Sequence, residues 1–358
     1  MPIHDSLVKT LSSAAVNLFS ELEEVQDFLS KVRRDIGVLK LKTNAGRPPV
    51  VAAGDSSRIL VNYSMAFVYA IQAVAVTVGF SGFEDRFFVE ADAGYLIVSP
   101  KTKEVFSDEI ISRSIGFLSR KLEVSTLLHA SRDVELALFD GSLFYFLWYS
   151  KHPKIPRSLK SLKERPIKLR DIWRDIVKAI NSLTKSGVTP IFVSKSIRRS
   201  YYLEKFLEVG KSDSTISPRS KINDILLINT LRWSGVLPSG MFLLEPVYIE
   251  RVEDLPRPLD TLESEDRSLI EPLVPITVTY VVFNSVAQPY QITIPGKWGW
   301  EELNELVSSL YPYSHSGYPD PLRIAHKWCR IEEQEFKNML LKLGVSIPTG
   351  RELLGEYI

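Results

Sequence analysis

The sequence predicts an α/β protein built on a mixed β-sheet flanked by helices. Two hydrophobic runs that each reach an aspartate point to it: Val50-Val51-Ala52-Ala53-Gly54-Asp55 and Leu136-Ala137-Leu138-Phe139-Asp140. Apolar runs of this length read as buried strands. Between and after them, strand-like and helix-like stretches alternate, the pattern of a sheet covered by helices.

From about Ser6 to Leu41 the chain reads as one long helix. Leu11, Leu18, Val25, Val32 and Leu39 recur at heptad spacing, and Ala15, Leu22, Leu29 and Ile36 form a second row. Charged residues flank this narrow seam, as in a helical arm that pairs with a second subunit or lies on its own domain. Asn44-Ala45-Gly46-Arg47-Pro48-Pro49 closes the arm and leads to the first strand. Strand-like runs follow at Met65–Phe80, Arg86–Ala91 and Gly94–Val98. Next come a helix from about Asp108 to Ala130, the strand ending at Asp140, a helix over Asp171–Lys185 and a short strand over Thr189–Val193. Residues 201–272 read as an insertion with a Ser-rich loop and a helix near Ile222–Trp233. Val278–Phe283 and Tyr290–Ile294 carry the β-branched character of a hairpin. Glu301–Leu310 is a helix, and a final helix runs from Pro321 to Leu343. The chain thus divides into an arm over 1–46, a first core part over 47–200, the insertion, and a second core part over 273–358.

Composition narrows the class. Charged residues make up 24% and hydrophobic residues 45% of the 358, which is ordinary for a globular protein. The net charge of +1 leaves any nucleic-acid surface to a local patch, for which Lys151–Arg170 is the most basic stretch. Cys329 is the only cysteine, which rules out an intrachain disulfide and a cysteine-based zinc cage and fits a reducing cytoplasm. The start lacks a signal-peptide pattern, and the apolar stretch Ala66–Phe80 is short and interrupted by Gln72, so it reads as a core strand and not a membrane span. No Walker A sequence, dinucleotide-binding glycine fingerprint or nucleophile elbow is present, which sets aside nucleotide-driven motors and serine hydrolases.

Aspartates at the ends of Asp55 and Asp140 strands would sit at the rim of the sheet, where open α/β folds carry their chemistry. Two nearby carboxylates repel unless a cation lies between them, so the pair points to a hard divalent metal on oxygen ligands. Lys195, just past a short strand and near Arg198 and Arg199, is placed to neutralise a phosphate. Ser314–His326 makes a stiff loop with two prolines, and His326 in the opening turns of the last helix can complete a metal shell or contact a phosphate. Glu123 lies on the helix before the second aspartate strand and, from spacing alone, reads as a solvated residue.

Together these segments resemble the NurA family, archaeal and bacterial nucleases with an RNase H-like core. Asp140-Gly141-Ser142-Leu143 is similar to that family's second aspartate motif, with Glu123 in the expected preceding helix. Val193-Ser194-Lys195 and Gly317-Tyr318-Pro319 followed by Ala325-His326 are similar to its later motifs. The first motif departs from the family pattern, because Ser56 follows Asp55 where the family usually has glycine. The resemblance implies an RNase H-like mixed sheet and a metal-dependent nuclease. In it Asp55, Glu123, Asp140 and His326 hold manganese, with magnesium the alternative ion. Lys195 offsets phosphate charge, and Tyr318 positions the nucleic acid or the loop. It also implies single-strand endonuclease and 5′-to-3′ exonuclease activity, a homodimer, and work beside the HerA hexameric translocase on DNA ends for recombination. The altered first motif leaves a second expectation: a non-catalytic adaptor that keeps the fold and binds DNA ends or the motor.

Overall fold

The computed structural model describes residues 37–43, 47–63, 66–79, 85–97, 108–148, 160–161, 169–195, 201–202, 223–256, 259 and 262–344. The heptad seam up to Ile36, most of the basic stretch, Arg198, Arg199, the Ser-rich loop and the tail beyond Gly344 lie outside the described residues.

In chain order the described elements begin with β1 (Val38–Lys40), β2 (Val51–Tyr63), β3 (Ala66–Val78) and β4 (Arg86–Ile97). They continue with α1 (Asp108–Ala130), β5 (Leu136–Asp140), α2 (Leu143–Leu147), β6 (Lys160–Ser161), α3 (Leu169–Lys185) and β7 (Thr189–Ser194). Then come α4 (Asp224–Trp233), β8 (Phe242–Leu244), β9 (Val247–Ile249), α5 (Ser264–Ile270), β10 (Ile276–Val282) and β11 (Tyr290–Pro295). The last helices are α6 (Trp300–Ser309), α7 (Asp320–Cys329) and α8 (Glu333–Lys342). All the strands join one mixed sheet in the order β1-β8-β10-β11-β7-β5-β2-β3-β4-β6, with β9 pairing on β10. The α/β class and the mixed sheet expected from the sequence are what the chain forms.

Helices cover both faces of this sheet. On one, α1 and α3 pack through Ile111, Ile115, Val124, Leu127, Ile172, Trp173, Ile176 and Ile180 against alternate residues such as Ala52, Ala137 and Phe139. This is helical spacing meeting strand spacing, each presenting one apolar stripe. On the other face, α6 and α7 pack through Leu303, Val307, Leu322 and Ala325 on Val51, Ala53, Val74 and Leu138. The fit is close at the centre, where a Cβ on Gly54 would come within 3.2 Å of Leu127 Cβ.

Several boundaries differ from the sequence reading. β2 does not stop at Asp55 but runs on to Tyr63, pairing with β3 at every position from Val51↔Val78 to Tyr63↔Ala66. Asp-Ser-Ser is turn chemistry in isolation. Here the polar side chains find partners in the layers above and below: Ser56 Oγ bonds Glu123, and Ser57 Oγ accepts from the Ile331 amide at 3.3 Å. The two runs at 86–91 and 94–98 are one strand, β4, because β3 supplies a continuous antiparallel partner from Ala66↔Ile97 to Thr77↔Arg86. The final helix breaks at Arg330–Glu332, where the backbone is extended at both Arg330 and Glu332 and Ile331 packs with Phe336 and Leu340 over Val61. The expected long N-terminal helix does not reach Leu41, since Val38–Lys40 is a strand on β8. Within 201–272, β8 and β9 are strands of the central sheet itself. The hairpin is as expected, with Thr277↔Ile294 through Val281↔Tyr290 in antiparallel register. No helix among the described residues is long and apolar enough to cross a membrane.

Candidate active site

Three strands and α7 converge on one point of the sheet. β2 and β5 run parallel in register Val51↔Leu136 to Gly54↔Phe139, so Asp55 and Asp140 are each the next residue after the last matched pair. β7 lies on the far side of β5 with Asp140 opposite Val193, which sets Lys195 just beyond the strand end. Residues two apart share a face of a strand. Asp55 therefore follows Val51 and Ala53, and Asp140 follows Leu136 and Leu138, onto the face covered by α6 and α7. After Asp140 the chain must turn at once, and Gly141 does so at φ +138°, a backbone state that favours glycine. Its amide donates to Val193 O at 2.8 Å, tying the turn to β7.

Each carboxylate has its own partner. Lys195 Nζ lies 2.7 Å from Asp140 Oδ2. The same ammonium stands 4.2 Å from the centre of the Tyr318 ring, a cation–π contact that holds it from behind. Tyr318 is delivered by a tight turn in which Gly317 sits at φ +85°, and its ring packs on Tyr290 at 5.1 Å. Its hydroxyl is buried near Asp140; burial first, then the charge of Asp140, holds its proton on more tightly than usual. His326 Nδ1 lies 2.6 Å from Asp55 Oδ2.

Glu123 comes from α1, which covers the opposite face of β2. Its Oε2 accepts from Ser56 Oγ at 2.7 Å, and Ser56 Oγ in turn accepts from Ser119 Oγ at 2.9 Å. Oε1 is buried with no hydrogen-bond partner. Glu123 is only 4% exposed, and that burial, followed by the nearby charge of Asp55, pushes its carboxyl well above the usual carboxylate range. Asp55 is raised as well, by burial above all, while its hydrogen bond to His326 pulls it back and Asp140 adds to the rise. Carboxylates that raise one another in a buried place, one with an orphaned oxygen, are a donor set that a divalent cation would satisfy. The oxygen-rich set with one imidazole suits manganese or magnesium.

The geometry therefore brings Asp55, Asp140, Lys195, Tyr318 and His326 to one face and sets Glu123 one residue away through Ser56. Glu123 is not the solvated residue that spacing alone implies, because α1 packs flat on the sheet and buries it. Of the expected basic stretch, Arg170 is described; its guanidinium is committed to Asp266 at 2.8 Å and Glu263 at 2.7 Å. Sequence reasoning missed Cys329, whose Sγ lies 3.6 Å from Asp55 Oδ2, and Ser119. The i, i+3 spacing of His326 and Cys329 on one helix was the available signal.

Comparison with known proteins gives the family and the fold. The NurA domain model matches residues 49–331. This chain belongs to the NurA family. The NurA nuclease from Sulfolobus solfataricus is similar in structure, with a TM-score of 0.62 at 16% identity over 96% of this chain and 97% of that one. A crystal structure of NurA bound to dAMP and manganese gives a TM-score of 0.58 at 14% identity, covering 97% of this chain and 99% of the other. In sequence, an uncharacterized protein of Methanocaldococcus jannaschii, MJECL07, is 31% identical over 96 residues. That segment spans 24% of this chain and 23% of that protein.

Proposed function

We propose that this protein is a manganese-dependent deoxyribonuclease that hydrolyses phosphodiester bonds. The observation that carries the reading is the parallel register of β2 and β5, which leaves Asp55 and Asp140 side by side on the face that also holds Lys195 and His326. The NurA structures containing manganese, one of them with dAMP, support both the ion and a nucleotide ligand. Asp55, Glu123, Asp140 and His326 would hold the metal, whose contribution when bound is to activate water and to stabilise charge on the scissile phosphate.

The chain's own residues supply the rest. His326 fixes the Asp55 carboxylate by its bond at 2.6 Å, and Ser56 fixes Glu123 from the opposite face. Lys195, kept near Asp140 and against the Tyr318 ring, places a positive charge where a phosphate would enter. Beside the site, Trp328 and Phe87 form an exposed aromatic corner, 60% and 51% exposed with ring centres 5.7 Å apart. Exposed rings bordering a phosphate site suit bases of single-stranded DNA, which stack without regard to sequence. Single-strand endonuclease and 5′-to-3′ exonuclease action in the cytoplasm, a homodimer, and partnership with a HerA-type hexameric translocase in DNA end resection complete the reading.

The test is cleavage of labelled single-stranded DNA in the presence of manganese by wild type and Asp140→Asn. Metal-dependent cutting that is lost in the variant supports the nuclease; equal cutting by both proteins overturns the site assignment. DNA binding without cutting, by both and with the translocase added, overturns the nuclease in favour of an adaptor.

A further inference from the structure

The contacts of Asp55 include one that the nuclease chemistry does not use. Cys329 and His326 lie one helical turn apart on α7, and both reach the same oxygen, Asp55 Oδ2, at 3.6 and 2.6 Å. One donor atom from each of Asp55, His326 and Cys329 can be chosen so that all three lie within 4.8 Å of one another. Cys329 is 1% exposed, and its Sγ also donates to the His326 carbonyl at 3.3 Å, so the thiol is held at this spot by the helix itself. Behind it, Glu123 is close enough for its charge to bear on the thiol, and its buried Oε1 has no hydrogen-bond partner.

A carboxylate, an imidazole and a thiol are three of the ligand types that zinc takes in tetrahedral sites. Manganese and magnesium prefer oxygen and gain little from sulfur, whereas zinc binds a site of mixed nitrogen, oxygen and sulfur donors more tightly than manganese does. We propose that Asp55, His326 and Cys329 form a zinc-selective site that overlaps the manganese-binding carboxylates, so that zinc binding occupies Asp55 and stops cleavage. The proposal rests on the nuclease reading only for its inhibitory consequence. On binding, the thiol proton leaves to solvent and the sulfur coordinates as thiolate, as coordinating thiols do.

Cobalt(II), a spectroscopic stand-in for zinc, gives the direct test on the full-length protein. Because Cys329 is the only cysteine in the chain, a thiolate-to-cobalt charge-transfer absorption in the near ultraviolet can arise from no other residue. The expected result is that this band appears on titrating cobalt into wild type, is displaced by zinc, and is missing in Cys329→Ala. Cobalt binding without the band overturns the site, whatever the enzyme does to DNA. In cleavage assays with manganese, the zinc concentration that halves each protein's own rate should be roughly tenfold or more higher in Cys329→Ala than in wild type. An unchanged zinc sensitivity overturns the inhibitory link. If no manganese-dependent cleavage is found at all, the nuclease reading fails while the cobalt spectrum still decides the thiolate site.

Discussion

Ser56 Oγ donates to Glu123 Oε2 at 2.7 Å, so a strand residue beside Asp55 orients an acidic residue that approaches from the other side of the sheet. Ser119, one turn earlier on α1, donates to the same Ser56 oxygen and aligns its proton toward the carboxylate. Ser56, directly after Asp55, thus links the two acidic residues in this chain. Ser56→Ala should weaken manganese affinity and cleavage by about tenfold or more, the range expected when the support of a metal ligand is removed. Manganese titration of the cleavage rate, beside an unfolding curve to confirm the fold, checks it. An unchanged titration would mean that Glu123 holds its place without help.

Lys195 pairs with Asp140 at 2.7 Å and leans on Tyr318 at 4.2 Å, yet its side chain remains 43% exposed and open to a phosphate. Lys195→Gln should cut the turnover rate by roughly a hundredfold, the scale of losing one charge-stabilising donor. Manganese affinity should hold or improve, since a competing cation leaves Asp140. Single-turnover rates across a manganese series separate the two effects. A loss confined to metal affinity would count against a role at the phosphate.

The aromatic corner lies two strands from the carboxylates. The sheet registers Asp55 with Val74 and Val74 with Val89, and Phe87 is on the same face of β4. Trp328 is anchored there through its carbonyl, which accepts from Gln72 Nε2 at 3.0 Å. Trp328→Ala should raise KM for single-stranded DNA by about tenfold, in line with ~1–3 kcal/mol for one stacked base. Cleavage of a mononucleotide ester too short to reach the corner should change little. Equal losses on both substrates would place the tryptophan in the fold and not in binding.

Tyr313 gives a pH dependence far from the site. Its buried hydroxyl donates to Pro49 O at 2.7 Å and is pushed up to about 12, chiefly by burial and secondarily by Glu135. A folded-state value above the unfolded one of 10.0 means that this contribution is whole below about pH 10 and is lost as pH rises toward 12. Thermal unfolding across that window should show a falling Tm whose slope flattens in Tyr313→Phe. At neutral pH the same variant should lose about 1 kcal/mol, the worth of one hydrogen bond. A slope that the variant leaves intact would assign the alkaline loss to other groups.

By itself the sequence determined the alternation that makes a helix-covered mixed sheet, the strand that ends at Asp140, the hairpin over 278–294, and the presence of Asp140, Lys195, Tyr318 and His326 in recognisable segments. These are local: hydrophobic period, a glycine that permits the turn after Asp140, and short motifs carry them. Tertiary structure alone decided that β2 continues past Asp55, because the polar residues Ser56 and Ser57 are satisfied by Glu123 and Ile331, which are 67 and 274 residues away in the chain. It likewise decided that Glu123 is buried, that the last helix breaks to seat Ile331, and that Cys329 meets Asp55. Propensity describes a residue with water as its neighbour. Where packing layers replace that water with fixed partners from distant segments, only the assembled fold says whether an aspartate ends a strand or lies within it.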